Sequence, residues 1–283
     1  MKKIINNADN FVEESISGLV KSYPEIYKYS SETNKVLMRS VKANNKVGLV
    51  SGGGSGHLPL FTGYIGKGLL DSCAIGNVFA SPSVDEISTA IKSANSGNGV
   101  LCIYGNYGGD VMNFDMASEM LEMEDIKVES IVVADDVASA PKEEKEKRRG
   151  VTGMLYVFKI AGAMAETGAD FDEVKRIAIK TNQNIRTMGI ALTPTILPQA
   201  GKPTFEIDND EMEIGMGIHG EPGIRRGKLK SADEITQELS DKILDDINLS
   251  SGDEVSVLIN SLGATPHEEL FITAKKFNNI LKE

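Results

Sequence analysis

Two of the three histidines lie in glycine-rich segments, where they could do chemistry. His57 ends the segment SGGGSGH, and His219 lies inside GMGIHGEPG. Near neutral pH an imidazole can act as base, acid, nucleophile or metal ligand, and flanking glycines let the backbone approach a small ligand closely. Asp110 ends a third glycine-rich segment, GNYGGD. If the three segments converge at the ends of strands, they form a small polar pocket that suits a hydroxylated ligand.

Each of these three residues also has a purely structural interpretation. His57 is equally compatible with a loop residue bonded to backbone, and His219 with a buried core histidine whose nitrogens are satisfied, because perturbed or buried groups are often only structural. For Asp110 a carboxylate that caps a turn is the better-supported interpretation from the residues alone.

The glycine-rich segments do not match common phosphate-binding or hydrolase motifs. A P-loop needs lysine after its last glycine, but Leu69 follows Gly68. His57 occupies the place of the third glycine of a dinucleotide fingerprint and of the last glycine of a serine-hydrolase elbow. The segment 215–220 fits G-x-G-x-x-G, but Glu-Pro-Gly follows where a helix should begin. No short histidine spacing supports a metal site, so we expect none.

Composition and charge narrow the class of protein. A net charge of −11 and a pI near 4.9 disfavour nucleic acid as a partner, because phosphate binding needs a basic surface. No stretch approaches the roughly 18 apolar residues of a membrane span, and the N-terminus lacks an apolar signal region. Cys73 and Cys102 lie in apolar surroundings without C-x-x-C spacing. We therefore expect a cytoplasmic protein with buried, reduced thiols and no membrane partner.

Strands and helices must position these residues. Short apolar runs alternate along the chain with longer segments of helical periodicity, and this alternation predicts an α/β fold. A composition shift at 193–203, rich in proline, suggests two domains, residues 1–183 and 184–283. The run of charges at 141–149 is predicted to be a solvated loop or the start of a helix, with a partner-docking patch as the less favoured alternative. Asp135 and Asp136 are predicted to form a solvated loop or a cap. Strands are predicted at 47–50, 100–104, 131–134, 213–218 and 254–259, helices at 11–20, 83–94, 115–121, 151–166 and 232–246, and a turn followed by a helix at 260–271.

Several ordered motifs resemble the substrate-binding K subunit of the dihydroxyacetone kinases, over nearly the whole chain. They are SGGGSGH followed by PLFTGYIGKGLL, NYGGD, ADDVA with a downstream KRRG, GIALTPTILPQAGKP, EMEIGMGIHGEPGI and NSLGATPHEEL. The resemblance implies two α/β domains, each a mixed sheet flanked by helices, in a homodimer that holds the ketose in the first domain. Family members usually continue with further strands after the last motif, so the C-terminal domain is expected to be shortened or the sequence to be incomplete.

The resemblance also implies roles for individual residues. His219 matches the histidine that adds to the ketone carbonyl as a hemiaminal, a step that separates short ketoses from polyols such as glycerol. His57 and Asp110 match the pair that bonds the terminal hydroxyl and helps to remove its proton. Gly54, Ser55 and Gly56, together with His57, are expected to line the sugar.

Phosphoryl transfer needs a nucleotide with magnesium, and this chain has no phosphate loop. The resemblance implies that a separate kinase subunit carries both, and that a phosphotransferase-system protein rephosphorylates it, so no cofactor is expected on this chain.

Two departures leave the function open. Gly105 stands where the best-known K subunits have lysine, and Leu58 stands where glutamate is common. The leading hypothesis is the ketose-binding subunit of a dihydroxyacetone kinase. The alternatives are a kinase subunit for erythrulose and a dihydroxyacetone-sensing co-activator that passes its signal to a transcriptional regulator. An intact His219 argues against a third alternative, an inactive paralogue.

Overall fold

The computed structural model describes residues 2–282, which form two compact units. The first contains the residues up to Val133, Gly153–Ile185 and Ile196–Lys202, and the second contains Ala134–Thr152, Arg186–Thr195 and the residues from Pro203 onward. The chain therefore passes between the units more than once. The division at 183 and 184, which lies close to the passage from Ile185 to Arg186, stays a prediction.

The first unit is a six-stranded sheet with helices on both faces. Its strands are β1 (Tyr27–Tyr29), β2 (Val36–Arg39), β3 (Gly48–Ser55), β4 (Ser72–Val78), β5 (Val100–Gly105) and β6 (Val128–Val133). Its helices are α1 (Phe11–Ser22), α2 (Val84–Ala94), α3 (Gly108–Glu122), α4 (Met154–Glu166) and α5 (Phe171–Gln183), with a 3-10 turn at Thr62–Tyr64.

The strand order of this sheet is β1-β2-β4-β3-β5-β6. β3, β4, β5 and β6 are parallel, whereas β1 and β2 pair antiparallel. Parallel strands need a crossover connection, usually a helix. Helix α2 connects β4 to β5, and α3 connects β5 to β6. The sheet is mixed and flanked by helices, as predicted.

Apolar side chains alternate between the two faces of the central strands, so each face has its own core. Leu49 and Leu101 pack in the cluster that contains residues of α1, α4 and α5, and Val50 and Cys102 pack in the cluster with α2 and α3. Cys73 joins the first cluster. Both cysteines are buried free thiols, as predicted, and burial raises the pKa of each.

The second unit contains a three-stranded sheet and two helices. Its elements are β7 (Ile190–Ala191), β8 (Glu211–Ile214), β9 (Arg225–Lys228), α6 (Ala232–Asp246) and α7 (His267–Ile280), with 3-10 turns at Lys142–Lys147. Met188, Met212 and Ile214 form its buried core, against which residues of α6 pack. Both strand pairings are antiparallel. The expectation of a mixed sheet in each domain is therefore wrong for this unit. The loop 215–224 returns the chain directly from β8 to β9, without the crossover that a parallel neighbour needs.

Capping boxes fix the start of two predicted helices. The Ser83 hydroxyl accepts from the backbone N–H of Glu86, whose carboxylate accepts from the backbone N–H of Ser83. Ser231 and Glu234 repeat this arrangement at the start of α6. A cap of this kind stabilises a helix by about 1 kcal/mol. The helices predicted at 83–94 and 232–246 are confirmed as α2 and α6.

Two strand predictions in the second unit differ from the structure. The strand predicted at 213–218 ends at Ile214, because Gly215 has a left-handed backbone with φ of 76°. Residues 254–259 form no strand, and Val255 and Val257 are exposed. A β-like pattern becomes a strand only where a neighbour supplies backbone hydrogen bonds, and no strand pairs with this segment among residues 2–282.

The charged run at 141–149 is only partly solvated. Lys142–Lys147 is exposed, but Arg148 is 2% exposed and donates two hydrogen bonds to the Asp246 carboxylate, at 2.8 and 2.6 Å. Arg186 also donates to Asp246. Hydrogen bonds from Arg148, reinforced by Arg186 and opposed by burial, hold the pKa of Asp246 at about 2. Buried guanidinium groups need such partners, so the prediction of a solvated run was wrong for Arg148.

Within residues 2–282, no helix combines the length and the hydrophobicity that crossing a membrane requires.

Candidate functional site

The parallel strands of the first unit end at one edge of the sheet, and the strand order reverses there. The chain leaves β3 for β4 on one side and returns to β5 on the other side. In open α/β sheets, ligands bind in the crevice at the carboxyl ends of the two strands that flank such a reversal. Residues 56–61 follow β3, and residues 106–107 join β5 to α3. This edge is the candidate site of the first unit.

His57 lies at this edge, held between aromatic rings. Its ring stacks on Phe79, with centroids 4.7 Å apart and planes at 10°, and meets Phe61 edge-on at 6.4 Å. Phe79 follows β4, so the loops after β3 and β4 together orient the imidazole. The side chain of His57 is neither fully buried nor fully exposed.

The two phenylalanines have unusual backbone conformations. Phe61 and Phe79 have φ of 67° and 57°, in the left-handed region that bulky residues rarely occupy. Such a conformation costs on the order of 1–3 kcal/mol and persists where the surrounding structure imposes it, often at functional sites. Sequence reasoning did not single out either residue, because a positive φ at phenylalanine leaves no local sequence signal.

The glycines at the end of β3 allow close approach of the loop after β4. A Cβ atom on Gly54 would lie 2.7 Å from the Ala80 nitrogen and 2.8 Å from the Phe79 Cα. Gly56 has φ of 101°, a conformation that favours glycine. The Ser55 hydroxyl donates to the Gly76 carbonyl at 2.8 Å, so this side chain ties β3 to β4. Contact between this backbone and a sugar stays a prediction.

Asp110 lies in the first turn of α3, directly beyond β5, and is buried. The amino end of a helix favours a negative charge, because its N–H groups and dipole are positive there. Next to Asp110, a Cβ atom on Gly109 would lie 2.7 Å from the Ser81 hydroxyl. His57 and Asp110 thus flank the crevice between β3 and β5, although they are 53 positions apart in the sequence.

We expect Gly54→Ala to disrupt this edge. The new methyl group would overlap backbone atoms of Phe79 and Ala80 that cannot rotate away, which predicts a loss of about 1–3 kcal/mol in the free energy of unfolding. Thermal denaturation measures this loss. Gly108→Ala is the matched control, because its Cβ would meet nothing within 4 Å. Equal behaviour of the two variants would contradict the close-approach role of Gly54.

His219 lies in the second unit, on the loop between β8 and β9. The loop is closed by a hydrogen bond from Gly217 N–H to the Glu221 carbonyl, and Gly220 has φ of 91°. The His219 side chain is 24% exposed. Its Nδ1 lies 3.0 Å from Glu221 Oε1, and its backbone N–H donates to Glu221 Oε2 at 3.0 Å.

The carboxylate of Glu221 is strongly stabilised in its charged form. Partial burial raises its pKa, but hydrogen bonds from the His219 side chain and from the backbone N–H groups of Glu221 and His219 outweigh burial and lower the pKa to about 2. Glu221 was absent from the predicted site. Its position two residues after His219, within the same glycine-rich segment, is the sequence signal that could have found it.

A buried ion pair anchors the start of the His219 loop. Arg149 donates to the Asp136 carboxylate, at 3.0 Å from Nε and 2.8 Å from Nη2, and also to the Gly215 carbonyl at 2.8 Å. Asp136 is 3% exposed, and Asp135 is fully buried and accepts from the Val151 N–H. Asp135 and Asp136 were predicted to lie in a solvated loop or to act as caps. The solvated alternative is wrong, because both carboxylates are buried, whereas Asp136 accepts the Ala138 N–H at 3.0 Å, as a capping carboxylate does.

The far end of the loop is held by Glu213. Its carboxylate accepts from the Gly223 N–H at 2.7 Å and from Arg226 at 2.8 Å. A Cβ atom on Gly223 would lie 2.1 Å from the Ile214 carbonyl oxygen. Glycine is therefore required where the returning chain passes β8.

The structure brings Gly54, Ser55, Gly56, His57 and Asp110 to one edge of the first unit, and His219 belongs to the second unit. Among residues 2–282 there is no group of three or more His, Cys, Asp or Glu side chains arranged to hold a metal ion.

Residues 17–283 match the Dak1 domain. The chain belongs to the Dak1 domain family. A relative from Listeria innocua, the dihydroxyacetone-binding subunit DhaK of PTS-dependent dihydroxyacetone kinase 1, is 45% identical over 282 residues, which cover 100% of this chain and 85% of the relative. The predicted resemblance to dihydroxyacetone kinase K subunits is therefore confirmed, and so is the α/β fold class.

Other relatives of this Dak1 chain have different names. The L-erythrulose kinase of Pectobacterium atrosepticum is 39% identical over 287 residues, and the match covers 100% of this chain but 48% of that enzyme. The solved structure of Dha-DhaQ, a dihydroxyacetone kinase operon co-activator, superposes with a TM-score of 0.89 at 35% identity, and the match covers 95% of this chain and 83% of DhaQ. Proteins similar to this chain are thus named as kinases of two different ketoses and as a co-activator.

Proposed function

We propose that this chain is the ketose-binding subunit of a dihydroxyacetone kinase, a phosphotransferase that works only with a nucleotide-bearing partner subunit. The observation that carries the proposal is that His57 and Asp110 flank the crevice between β3 and β5, where open α/β sheets bind ligands. The 45% identity with the L. innocua DhaK subunit supports dihydroxyacetone, or a similar short ketose, as the ligand.

His219 is the proposed covalent anchor. Its side chain is partly exposed, and a neutral imidazole nitrogen is an adequate nucleophile. The nitrogen adds to the ketone carbon, the electron pair of the carbonyl π bond moves to the oxygen, and the oxygen takes up a proton to give a hemiaminal. Glycerol has no carbonyl group, so the same step would reject it.

His57 and Asp110 are the proposed partners of the terminal hydroxyl. They take its proton while the hydroxyl oxygen attacks phosphorus and the bond from phosphorus to the leaving oxygen of the nucleotide breaks. Backbone groups of Gly54, Ser55 and Gly56 would position the sugar. Nucleotide and magnesium belong to the partner subunit in this proposal.

The proposed assembly is a cytoplasmic homodimer that meets a separate kinase subunit. The L. innocua relative is named as a subunit of a PTS-dependent kinase, which supports the phosphotransferase system as the ultimate source of the phosphoryl group. No nucleic acid or membrane partner is proposed.

A reconstitution tests the kinase function. The purified chain is mixed with the nucleotide-binding subunit of a PTS-dependent dihydroxyacetone kinase, and phosphoryl transfer to dihydroxyacetone and to erythrulose is followed. We expect turnover with at least one ketose only when both proteins are present. Ketose binding without turnover of either ketose would contradict the kinase proposal.

Two alternatives are supported by specific observations. The relative named L-erythrulose kinase favours erythrulose as substrate, which the same assay decides by comparing the two ketoses. The structural likeness to DhaQ, with Gly105 in place of lysine and Leu58 in place of glutamate, favours a co-activator. In that case dihydroxyacetone would increase binding of the chain to a transcriptional regulator, and no ketose would be phosphorylated.

A further inference from the structure

The carboxylate of Glu221 contacts His219 in two places. Oε1 lies 3.0 Å from the ring nitrogen Nδ1, and Oε2 accepts the backbone N–H of His219 at 3.0 Å. One side chain therefore fixes both the backbone position and the ring orientation of His219.

These contacts assign the ring proton of the neutral imidazole. An ionised carboxylate only accepts hydrogen bonds, so the nitrogen that faces it must carry the hydrogen. The proton then lies on Nδ1, and the lone pair lies on Nε2. Although burial opposes it, hydrogen bonds from the His219 side chain and from the backbone lower the pKa of Glu221 to about 2, so this carboxylate is ionised near neutral pH.

The loop is shaped to hold a carboxylate at this point. A Cβ atom on Gly217 would lie 2.2 Å from Glu221 Oε2 and 2.5 Å from Arg149 Nη1. Only glycine leaves room for the carboxylate and the guanidinium on this side of the loop. Arg149 is itself fixed by Asp136 and by the Gly215 carbonyl.

We propose that Glu221 is the positioning residue for ketose capture: it keeps the His219 proton on Nδ1, so that Nε2 is the nucleophile that adds to the ketone carbon. This inference rests on the proposed covalent role of His219. As the Nε2–C bond forms, the carbonyl electron pair moves to oxygen and the ring becomes cationic. The Nδ1 proton then leaves and a proton reaches the alkoxide oxygen, so the product is a neutral hemiaminal. The adjacent carboxylate stabilises the cationic ring during this step.

The test compares Glu221→Gln and Glu221→Asp with the wild-type chain. Glu221→Gln replaces a hydrogen bond to a charged carboxylate with a weaker bond to a neutral amide. We therefore expect this variant to capture dihydroxyacetone roughly 10-fold to 100-fold more weakly than the wild type. Glu221→Asp keeps the charge and should restore part of the capture. Glu268→Gln, an exposed glutamate of the second unit, is the control and should leave capture unchanged. Capture is measured with dihydroxyacetone labelled with ¹³C at the carbonyl carbon, from the loss of the ketone signal.

The decisive readout is the tautomer of His219, which ¹⁵N–¹H correlation spectra of the imidazole report. We expect the Nδ1–H form in the wild-type chain and a shift toward the Nε2–H form in Glu221→Gln. An unchanged tautomer in Glu221→Gln, or weaker capture that follows only a lower melting temperature, would overturn the positioning role.

The His219→Ala variant separates this inference from the proposed function. If His219→Ala loses capture while Glu221→Gln keeps it, the inference about Glu221 is wrong and the covalent anchor stands. If His219→Ala captures the ketose as well as the wild type does, the covalent anchor itself is wrong.

Discussion

His219→Ala is expected to abolish covalent capture of dihydroxyacetone and to weaken ketose binding at least roughly 100-fold, on the order of 3 kcal/mol. The variant removes the nitrogen that would form the bond to the ketone carbon. Because a ketone can form that bond and glycerol cannot, the preference for dihydroxyacetone over glycerol should disappear as well. Mass spectrometry of the intact protein under non-denaturing conditions detects the adduct, and calorimetric titration with dihydroxyacetone and with glycerol measures the two affinities.

The chain supplies a matched control for this variant. His267 is an exposed histidine at the start of α7, and no chemistry is assigned to it. His267→Ala should capture the ketose as the wild type does. Equal ketose affinity of His219→Ala and His267→Ala would contradict the hemiaminal and leave His219 a structural residue.

Asp246→Ala is expected to destabilise the second unit by about 3–5 kcal/mol, the usual result of removing one member of a buried ion pair. Asp246 receives hydrogen bonds from Arg148, which is 2% exposed, and from Arg186. Without the carboxylate, both guanidinium charges would lose their shared counter-ion in a buried position. The free energy of unfolding from urea denaturation and the hydrogen-exchange protection of α6 amides measure the loss.

Asp245→Ala is the control for this prediction, because Asp245 precedes Asp246 on α6 but is exposed. Its effect should stay within about 0.5 kcal/mol. The folded pKa of Asp246, about 2, is below the ordinary value of 3.8, so its contribution is complete above about pH 4 and is lost as the pH falls toward 2. The Asp246→Ala variant should lack this part of the acid dependence. Equal destabilisation by both variants would contradict the role of the buried network.

The elements that the sequence predicted well are those with strong local signals. The capped, periodic segments at 83–94 and 232–246 became α2 and α6, and the apolar runs at 100–104 and 131–134 became parts of β5 and β6. β4 was missed because its sequence SCAIGNV contains polar residues and a glycine. It is a strand because it pairs with both β2 and β3.

The predictions of secondary structure and exposure were wrong where strand pairing or burial by a distant segment decided the conformation. Residues 254–259 have a β-like pattern but no partner strand in the described part of the chain. Arg148 lies in a run of charges that is typical of a solvated segment, yet Asp246, 98 residues later, accepts its hydrogen bonds. Neither outcome has a signal within the local sequence, because each depends on a distant segment.

By itself, the sequence determined the family and the residues that could do chemistry, because His57, Asp110 and His219 lie in long ordered motifs whose glycines are needed for close backbone approach. Only the tertiary structure decided what surrounds them. The parallel pairing of β3 with β5 brings His57 and Asp110 to one crevice, the ring of Phe79 orients His57, and the fold of the β8–β9 loop turns Glu221 onto Nδ1 of His219. The physical reason is that residue type fixes the available chemistry, whereas proton position, burial and ring orientation depend on contacts between groups that the folded chain alone brings together.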